Sequence, residues 1–596
     1  MNQGDFIFRH AILRTVIIVA FAILVANLFH LTVVRHSFYQ DQALENRQDR
    51  FRVRAPRGRI HDRDGNLLVA NQYIADIIVP RKCLTPAGPD STLGKLIEWF
   101  GLDRWETLDR LEQQSSRKDQ LILVPDASPS RIFTVEERGR ELPGVKVVTR
   151  SRRQYLFGPL FAHAIGYVGE IGRAALDSME TVYAQGDYIG KLGIEEAMEP
   201  LLRGSAGIKL EEVNAAGRIV GRKPVWVRDV VPGTDVEVTL SLRLQQRLAA
   251  SIGDRPGCAV ALDVRTGEVL AAYASPAFDP NVMGGSLTTV QWNALVEDPG
   301  KPLFNRITQA TYPPASIFKT ITSLAGLAGG HVTVNSSLDP CGGGWNYGGR
   351  YFRCHKREGH GWLDHTGAMM QSCDTFYYQL GMRLQVDELA AAARAFGLGS
   401  RVTSEFSDEV RGNVPDTDWY NKHVGKGKWS RGVLMNTSIG QGELLVTPIQ
   451  MAVVAGRIAS SGTMPDPTFV RSPTPVRRQP KPLPFRAEHL AWVREAMRRT
   501  VAEGTGRAAR LKTVEVAGKT GTAQNPHGED HAWFMCFAPA SMPEVALAIV
   551  MENAGGGGSV AAPIAGDFLK AYFHEDEADS AAVPVEVPAD LTVEAD

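Results

Sequence analysis

At 596 residues the chain is too long for a single hydrophobic core, so two or three domains are expected. A composition of 44% hydrophobic and 22% charged residues excludes a wholly disordered chain. With 65 basic against 66 acidic residues and a net charge of −1, it has no basic excess of the kind nucleic-acid-binding domains carry, so no nucleic acid is expected among its partners.

The first predicted element is a membrane span. Thr15 to Val34 is a run of 20 residues broken only by Asn27, His30 and two threonines, and it is apolar on every face. Arg35 and His36 follow it without a small-residue cleavage site, so the run reads as an uncleaved anchor rather than a secretory signal. Arg9 and Arg14 precede the span while Arg35, Arg47, Arg50, Arg52 and Arg54 follow it, so charge asymmetry leaves the orientation open.

Residues 36 to about 235 are rich in Arg, Gly and short strand-like runs. HDRDGNLLVAN (61–71) predicts a turn at Asp64-Gly65 followed by a strand. VPGTDVEVTLSLRLQQRLAASI (231–252) predicts a turn, a strand and then a helix, and marks a domain boundary. A dense pattern of helices and strands runs from 258 to about 573. The last stretch, 574–596, has eight acids, two prolines and no Lys or Arg, the composition of a disordered tail.

Three stretches carry chemistry. In TYPPASIFKTITSLAGLAGG (311–330), prolines open a helix and Ser316 and Lys319, three apart, share its first turn. An unprotonated lysine there can take the serine proton, and a helix N-terminus favours the anion that forms. The pattern is common by itself; Ser115 and Lys118 repeat it in a charged stretch with no apolar helix behind it. QSCDTFYYQLG (371–381) places Ser372 and Asp374 just before an aromatic helical run, and EVAGKTGTAQ (515–524) predicts a strand bearing Lys519, Thr520, Gly521 and Thr522. A cation with two hydroxyls suits a carboxylate, and Gly521 would let a substrate backbone approach the strand.

The order Ser-x-x-Lys, Ser-x-Asp, Lys-Thr-Gly is that of penicillin-binding proteins and class A β-lactamases. With PRGRIHDRDG (56–65), RRQYLFG (152–158), GIEEAMEPLLRGSAG (193–207), TSIGQGELLVTPIQMA (437–452) and HAWFMCFAP (531–539), the chain resembles the class B penicillin-binding proteins, closest to the elongation type. The resemblance implies a multidomain α/β fold: a transmembrane helix, an elongated β-rich pedestal, and a transpeptidase domain with a central antiparallel sheet flanked by helices. The divisions expected are a cytoplasmic tail 1–14, an anchor 15–34, a pedestal of dimerisation type 35–235, a transpeptidase domain 236–573 and the acidic tail 574–596.

By the same resemblance, Ser316 attacks the carbonyl between the last two D-alanines of a pentapeptide stem and Lys319 takes its proton. Ser372 relays protons to the leaving amine. Lys519, Thr520 and Thr522 hold the terminal carboxylate, and the N–H groups of Ser316 and Thr522 form the oxyanion hole. The family more often has Ser-x-Asn where Asp374 stands, which leaves the role of Asp374 open. β-Lactam antibiotics would acylate the same serine. No organic cofactor is implied. The location implied is the bacterial inner membrane, with the catalytic part outside the cytoplasm, beside a RodA-type glycosyltransferase that supplies glycan strands. The alternatives are a division-type transpeptidase, or a D,D-carboxypeptidase or β-lactamase-like hydrolase of the same fold.

Cys341, Cys354, His360 and Cys373 fall in one segment with Asp339 just before it, a donor set suited to tetrahedral zinc. Elongation-type relatives imply one structural zinc held by Asp339, Cys354, His360 and Cys373, with Cys341 the alternative fourth ligand. A Cys341–Cys354 disulfide is the competing reading. Asp530-His531 reads as packing within a strand rather than as part of a catalytic triad.

Overall fold

The computed structural model describes residues 3–40, 48–84, 91–115, 120–179, 182–212, 225–284, 287, 289–473, 480 and 482–575. The acidic tail beyond Glu575 and Lys118 of the repeated Ser-x-x-Lys pattern lie outside the described residues. Two compact units form: Met1–Arg57 with Arg203–Thr234, and Gly58–Leu202 with Asp235–Asp596.

In the first unit, helix α1 (Gln3–Phe29) continues as a π-helical turn, His30–Val34. Within it His10–Val34, 25 residues, is long and apolar enough to cross a membrane and is fully exposed, as an all-round apolar helix without protein neighbours must be. A three-stranded antiparallel sheet, Gln48–Val53, Gly207–Glu212 and Val225–Arg228, completes the unit.

In the second unit the turn expected at Asp64-Gly65 forms around a buried carboxylate. Asp62 Oδ1 accepts from the amides of Asp64 (2.9 Å) and Asn66 (2.7 Å), and Gly65 takes φ +86°, which a Cβ would penalise. The strand that follows, Leu67–Pro80, pairs antiparallel with Lys146–Tyr155. The two stretches RRQYLFG and GIEEAMEPLLRG meet in a buried ion pair, Arg153 Nε to Glu195 Oε1 at 2.7 Å; Arg153 also donates to Gly58 O (2.6 Å) and Asn71 Oδ1 (3.1 Å). The expected division at 235/236 is bridged within this unit: Val236–Val238 pairs parallel with Ile60–His61 and antiparallel with Val470–Ser472.

The catalytic half is built on five antiparallel strands: β1 (Gly257–Asp263), β2 (Val269–Ser275), β3 (Ala517–Ala523), β4 (His531–Ala538) and β5 (Val545–Met551), in the order β2-β1-β5-β4-β3. Helices α2 (Leu242–Ile252), α3 (Lys319–Ala328), α4 (Asp374–Gly381), α5 (Pro448–Ala459), α6 (Ala487–Ala502) and α7 (Ala561–Tyr572) surround it. Along β4 the side chains alternate between two cores: Trp533, Met535 and Phe537 join the core that holds α5, while Ala532, Phe534, Cys536 and Ala538 join that of α2 and α7. A sheet covered on both faces leaves its strands apolar throughout, as the sequence of β5 is. Strand β3 lies at the end of this order, so it has a ladder partner on one side only. The multidomain α/β fold with a central antiparallel sheet between helices is thus the one expected.

Candidate active site

Pro313 and Pro314 lead into a 3₁₀ turn, Ala315–Phe318, and α3 begins only at Lys319, one turn later than the sequence predicts. Ala315 sits at φ +53°, with its N–H on Gly440 O at 2.7 Å. A non-glycine residue there costs on the order of 1–3 kcal/mol and is kept only where the surroundings impose it. The turn lies against β3: a Cβ on Gly521 would stand 3.3 Å from both Pro314 O and Ile317 Cγ2. Gly521 therefore lets the Ser316 turn seat on the strand. Ser316 itself is half-buried.

Ser372 has φ +57°, just past the helix His365–Met370, at the position where helices usually end on Gly or Asn. That left-handed residue turns the chain into α4, so Asp374 falls in the first turn of α4, where a carboxylate is favoured. Lys319, fully buried, donates to Asp374 Oδ1 (2.6 Å) and Ser372 O (2.8 Å), and its Nζ lies 3.3 Å from Ser372 Oγ. Lys519, also fully buried, donates to Ser372 Oγ (2.8 Å) and Thr520 O (3.0 Å). One hydroxyl thus lies between two amines. Burial, reinforced by the Lys319 charge, holds Lys519 well below a lysine's ordinary value. Burial would raise the Asp374 carboxyl, but the Lys319 charge and the His355 hydrogen bond outweigh it and hold it low.

The Thr520 hydroxyl shares a 2.6 Å hydrogen bond with Thr505 Oγ1. Thr522 is exposed, and its carbonyl accepts from Gln441 Nε2 at 3.2 Å. His531 accepts from the Asn553 amide (3.1 Å) and packs edge-on to Tyr312, in keeping with a packing role.

Four neighbours of the site were not singled out from the sequence: Thr505, Gln441, His355 and Tyr377. Tyr377 places its ring 5.3 Å below Lys319 Nζ and its hydroxyl 2.8 Å from Ser323 Oγ, which is 2.9 Å from His365 Nε2. His365 is pushed down to about 4 by burial, so it is neutral. Of the four, Gln441 lies inside TSIGQGELLVTPIQMA and Tyr377 inside the aromatic run of QSCDTFYYQLG; Thr505 and His355 act through contacts with no local pattern.

Cys341, Cys354, His360 and Cys373 bring one donor atom each within 4.8 Å of one another. Asp339, the first choice for fourth ligand, is not among them: it is exposed, and its backbone is tied to Gln379 by Asp339 N–H to Oε1 at 2.9 Å and Nε2–H to Asp339 O at 3.1 Å. Cys341 takes its place. All six cysteines are unbridged, so no Cys341–Cys354 disulfide is present. The Cys373 hydrogen bond, against the effect of burial, drives the Cys354 thiol down, and His355 and His360 add to it. The cluster borders the catalytic groups, since the His355 amide donates to Asp374 Oδ2 at 2.9 Å.

Residues 257–570 match the penicillin-binding protein transpeptidase domain, and residues 52–238 match the penicillin-binding protein dimerisation domain. The chain belongs to the penicillin-binding proteins. Among curated relatives, the peptidoglycan D,D-transpeptidase MrdA of Haemophilus influenzae is 30% identical, over 96% of this chain and 93% of its own. That of Escherichia coli is 31% identical over 90% of each. Among solved structures, the penicillin-binding protein 2 of Helicobacter pylori in complex with MreC has TM-score 0.77 at 25% identity, covering 88% of this chain and 99% of its own. A chain from a peptidoglycan synthase complex that coordinates polymerization and crosslinking has TM-score 0.73 at 29% identity, covering 97% and 100%. This penicillin-binding protein is a peptidoglycan D,D-transpeptidase of the elongation type.

Proposed function

We propose that Ser316 is the acylated nucleophile and Lys319 its base, with Ser372 the proton relay and Lys519 the anchor for the donor stem's terminal carboxylate. The observation that carries this reading is Ser372 Oγ lying 3.3 Å from Lys319 Nζ and 2.8 Å from Lys519 Nζ. Lys319 Nζ donates to Asp374 at 2.6 Å, so the base must be generated when substrate arrives. A carboxylate seated at Lys519 raises the proton affinity of that amine, and the Ser372 hydroxyl is the path by which a proton leaves Lys319. Neutral Lys319 then takes the Ser316 proton as Oγ attacks the carbonyl. The amides of Ser316 and Thr522 receive the oxyanion. As the tetrahedral intermediate collapses, Ser372 hands a proton to the departing D-alanine amine. An amine of a neighbouring stem attacks the ester, its proton returns through Lys319, and Ser316 is freed. Lys519 carries the anchoring role together with the hydroxyls of Thr520, which is hydrogen-bonded to Thr505, and the exposed Thr522. Penicillins, which bear a carboxylate beside a strained amide, take the donor's place.

The division of labour along the chain follows: residues 15–34 anchor it in the inner membrane, 35–235 form the pedestal, and 236–573 work outside the cytoplasm. The glycan comes from a RodA-type glycosyltransferase. That partner is read from similarity to a chain found within a peptidoglycan synthase complex that coordinates polymerization and crosslinking. A zinc ion held by Cys341, Cys354, His360 and Cys373 fits the three-thiol, one-imidazole donor set and its closeness. With four protein ligands it would be structural, pinning the 341–361 loop whose His355 amide meets Asp374.

The test is mass spectrometry after incubation with a labelled penicillin. The expected result is one adduct on Ser316 in the wild type and none in Ser316→Ala. Labelling that persists in the variant refutes the assignment.

A further inference from the structure

The catalytic groups account for one stem, the donor, yet a cross-link needs two strands. Beside the site lies a surface that the mechanism does not use. A hairpin, Gly344–Tyr347 with Arg350–Arg353, stands on α4: Tyr378 Oη donates to Arg353 O at 2.9 Å, and the rings of Phe352 and Tyr378 are 5.7 Å apart. The stretch 421–432 flanks it. Arg431 donates to Met382 O (2.9 Å) and Leu384 O (2.8 Å) just past the other end of α4, and a Cβ on Gly432 would stand 4.0 Å from Tyr347 Cε1.

Residues 344–358 and 421–432 together contain eight Lys and Arg against one acid, Glu358, in a chain whose net charge is −1. Arg350, Arg353, Lys356 and Arg357 on the hairpin side and Lys422, Lys426 and Lys428 on the other are exposed, and none pairs with a carboxylate among the described residues. Flat aromatic faces lie between them. Trp345 and Tyr347 stack at 5.7 Å and 21°, and Tyr347 and Tyr351 are 40% and 49% exposed. Unpaired cations concentrated on one rim of an otherwise balanced chain attract polyanions, and exposed aromatic rings of this kind offer flat apolar faces to a ligand with one wet edge.

We propose that this rim docks the acceptor strand, a peptidoglycan glycan whose stem peptides carry free carboxylates, and holds it beside the acyl-enzyme. Charge complementarity selects the occupant: the stems bring several carboxylates per repeat to the cations, while sugar rings lie on Tyr347 and Tyr351. The proposal deepens the transpeptidase reading and rests on it.

The test uses the full chain in detergent, with two variants, Lys422→Gln/Lys426→Gln/Lys428→Gln and Arg350→Gln/Arg353→Gln. Each is measured for co-sedimentation with purified insoluble peptidoglycan and with anionic lipid vesicles, and for acylation by a fluorescent penicillin. The expected result is acylation within about twofold of wild type and an affinity for peptidoglycan lower by about tenfold, as several exposed pairs would give together. Wild-type affinity should fall as salt rises from about 50 to about 300 mM, and peptidoglycan with its carboxylates amidated should bind the wild type as weakly as native material binds the variants. Three results would overturn the proposal: normally acylated variants that bind peptidoglycan as wild type does; wild-type binding indifferent to salt and to amidation, which decides the matter even if a variant fails to fold; or variants that lose only the binding of anionic lipid vesicles. Loss of Ser316 acylation in the wild type would strike the active-site assignment and leave the binding comparison standing.

Discussion

Asp374 is the group whose removal most directly probes the site. Asp374→Ala deletes the carboxylate that accepts from Lys319 Nζ at 2.6 Å and from the His355 amide at 2.9 Å. Lys319 is 0% exposed, so water cannot replace the lost partner. Breaking one side of a buried ion pair costs about 3–5 kcal/mol, and an unmet amide adds up to about 1 kcal/mol. The two contacts share one carboxylate and do not add in full, so the expected loss is about 4 kcal/mol. Asp374→Asn keeps an acceptor oxygen and gives up the charge, for about half that loss. Since the Asp374 carboxyl titrates below its ordinary 3.8, the pair's contribution is fully present above that value and is lost as pH falls through the lowered one. The assay is urea denaturation of the full chain followed by tryptophan fluorescence, at neutral pH and near pH 3, alongside the rate of penicillin acylation, which should fall by about 10²-fold with the base misplaced. Equal losses for Ala and Asn, or a loss under about 1 kcal/mol for Ala, would refute the view that this pair holds Lys319.

Lys519→Met should flatten the pH dependence of stability: with its folded value depressed below 10.5, the unfolded chain binds a proton more readily than the folded one, so wild-type stability rises with pH across that window, and a slope surviving in the variant argues against a depressed Lys519. Gly440→Ala would put a Cβ 2.1 Å from Ala315 O at φ +75°, and a loss of about 3 kcal/mol with slowed acylation is expected, because Ala315 precedes the nucleophile; unchanged acylation kinetics would show that the turn tolerates displacement. Metal analysis of the purified chain should find one zinc, which Cys354→Ser weakens; a metal-free chain with Cys341 and Cys354 bridged would end that reading.

The sequence by itself determined the local events. The apolar run of α1, the Asp64-Gly65 turn, the prolines before Ser316 and the order of the three catalytic stretches all follow from short-range patterns, because helix faces, caps and turns are set by residues a few positions apart. It named the members of the cysteine cluster but put Asp339 ahead of Cys341, since both precede the same loop and only the fold decides which turns inward. It missed Thr505, His355 and Tyr377, whose partners lie 15, 19 and 54–58 positions away for Thr520, Asp374, Ser323 and Lys319. Tertiary structure alone decided that Gly521 makes room for the nucleophile's own turn, and that Ser372 Oγ lies between two buried lysines. Proximity across 53 and 147 residues is created by packing α3, α4 and β3 around one point, and no periodicity along the chain encodes such a meeting.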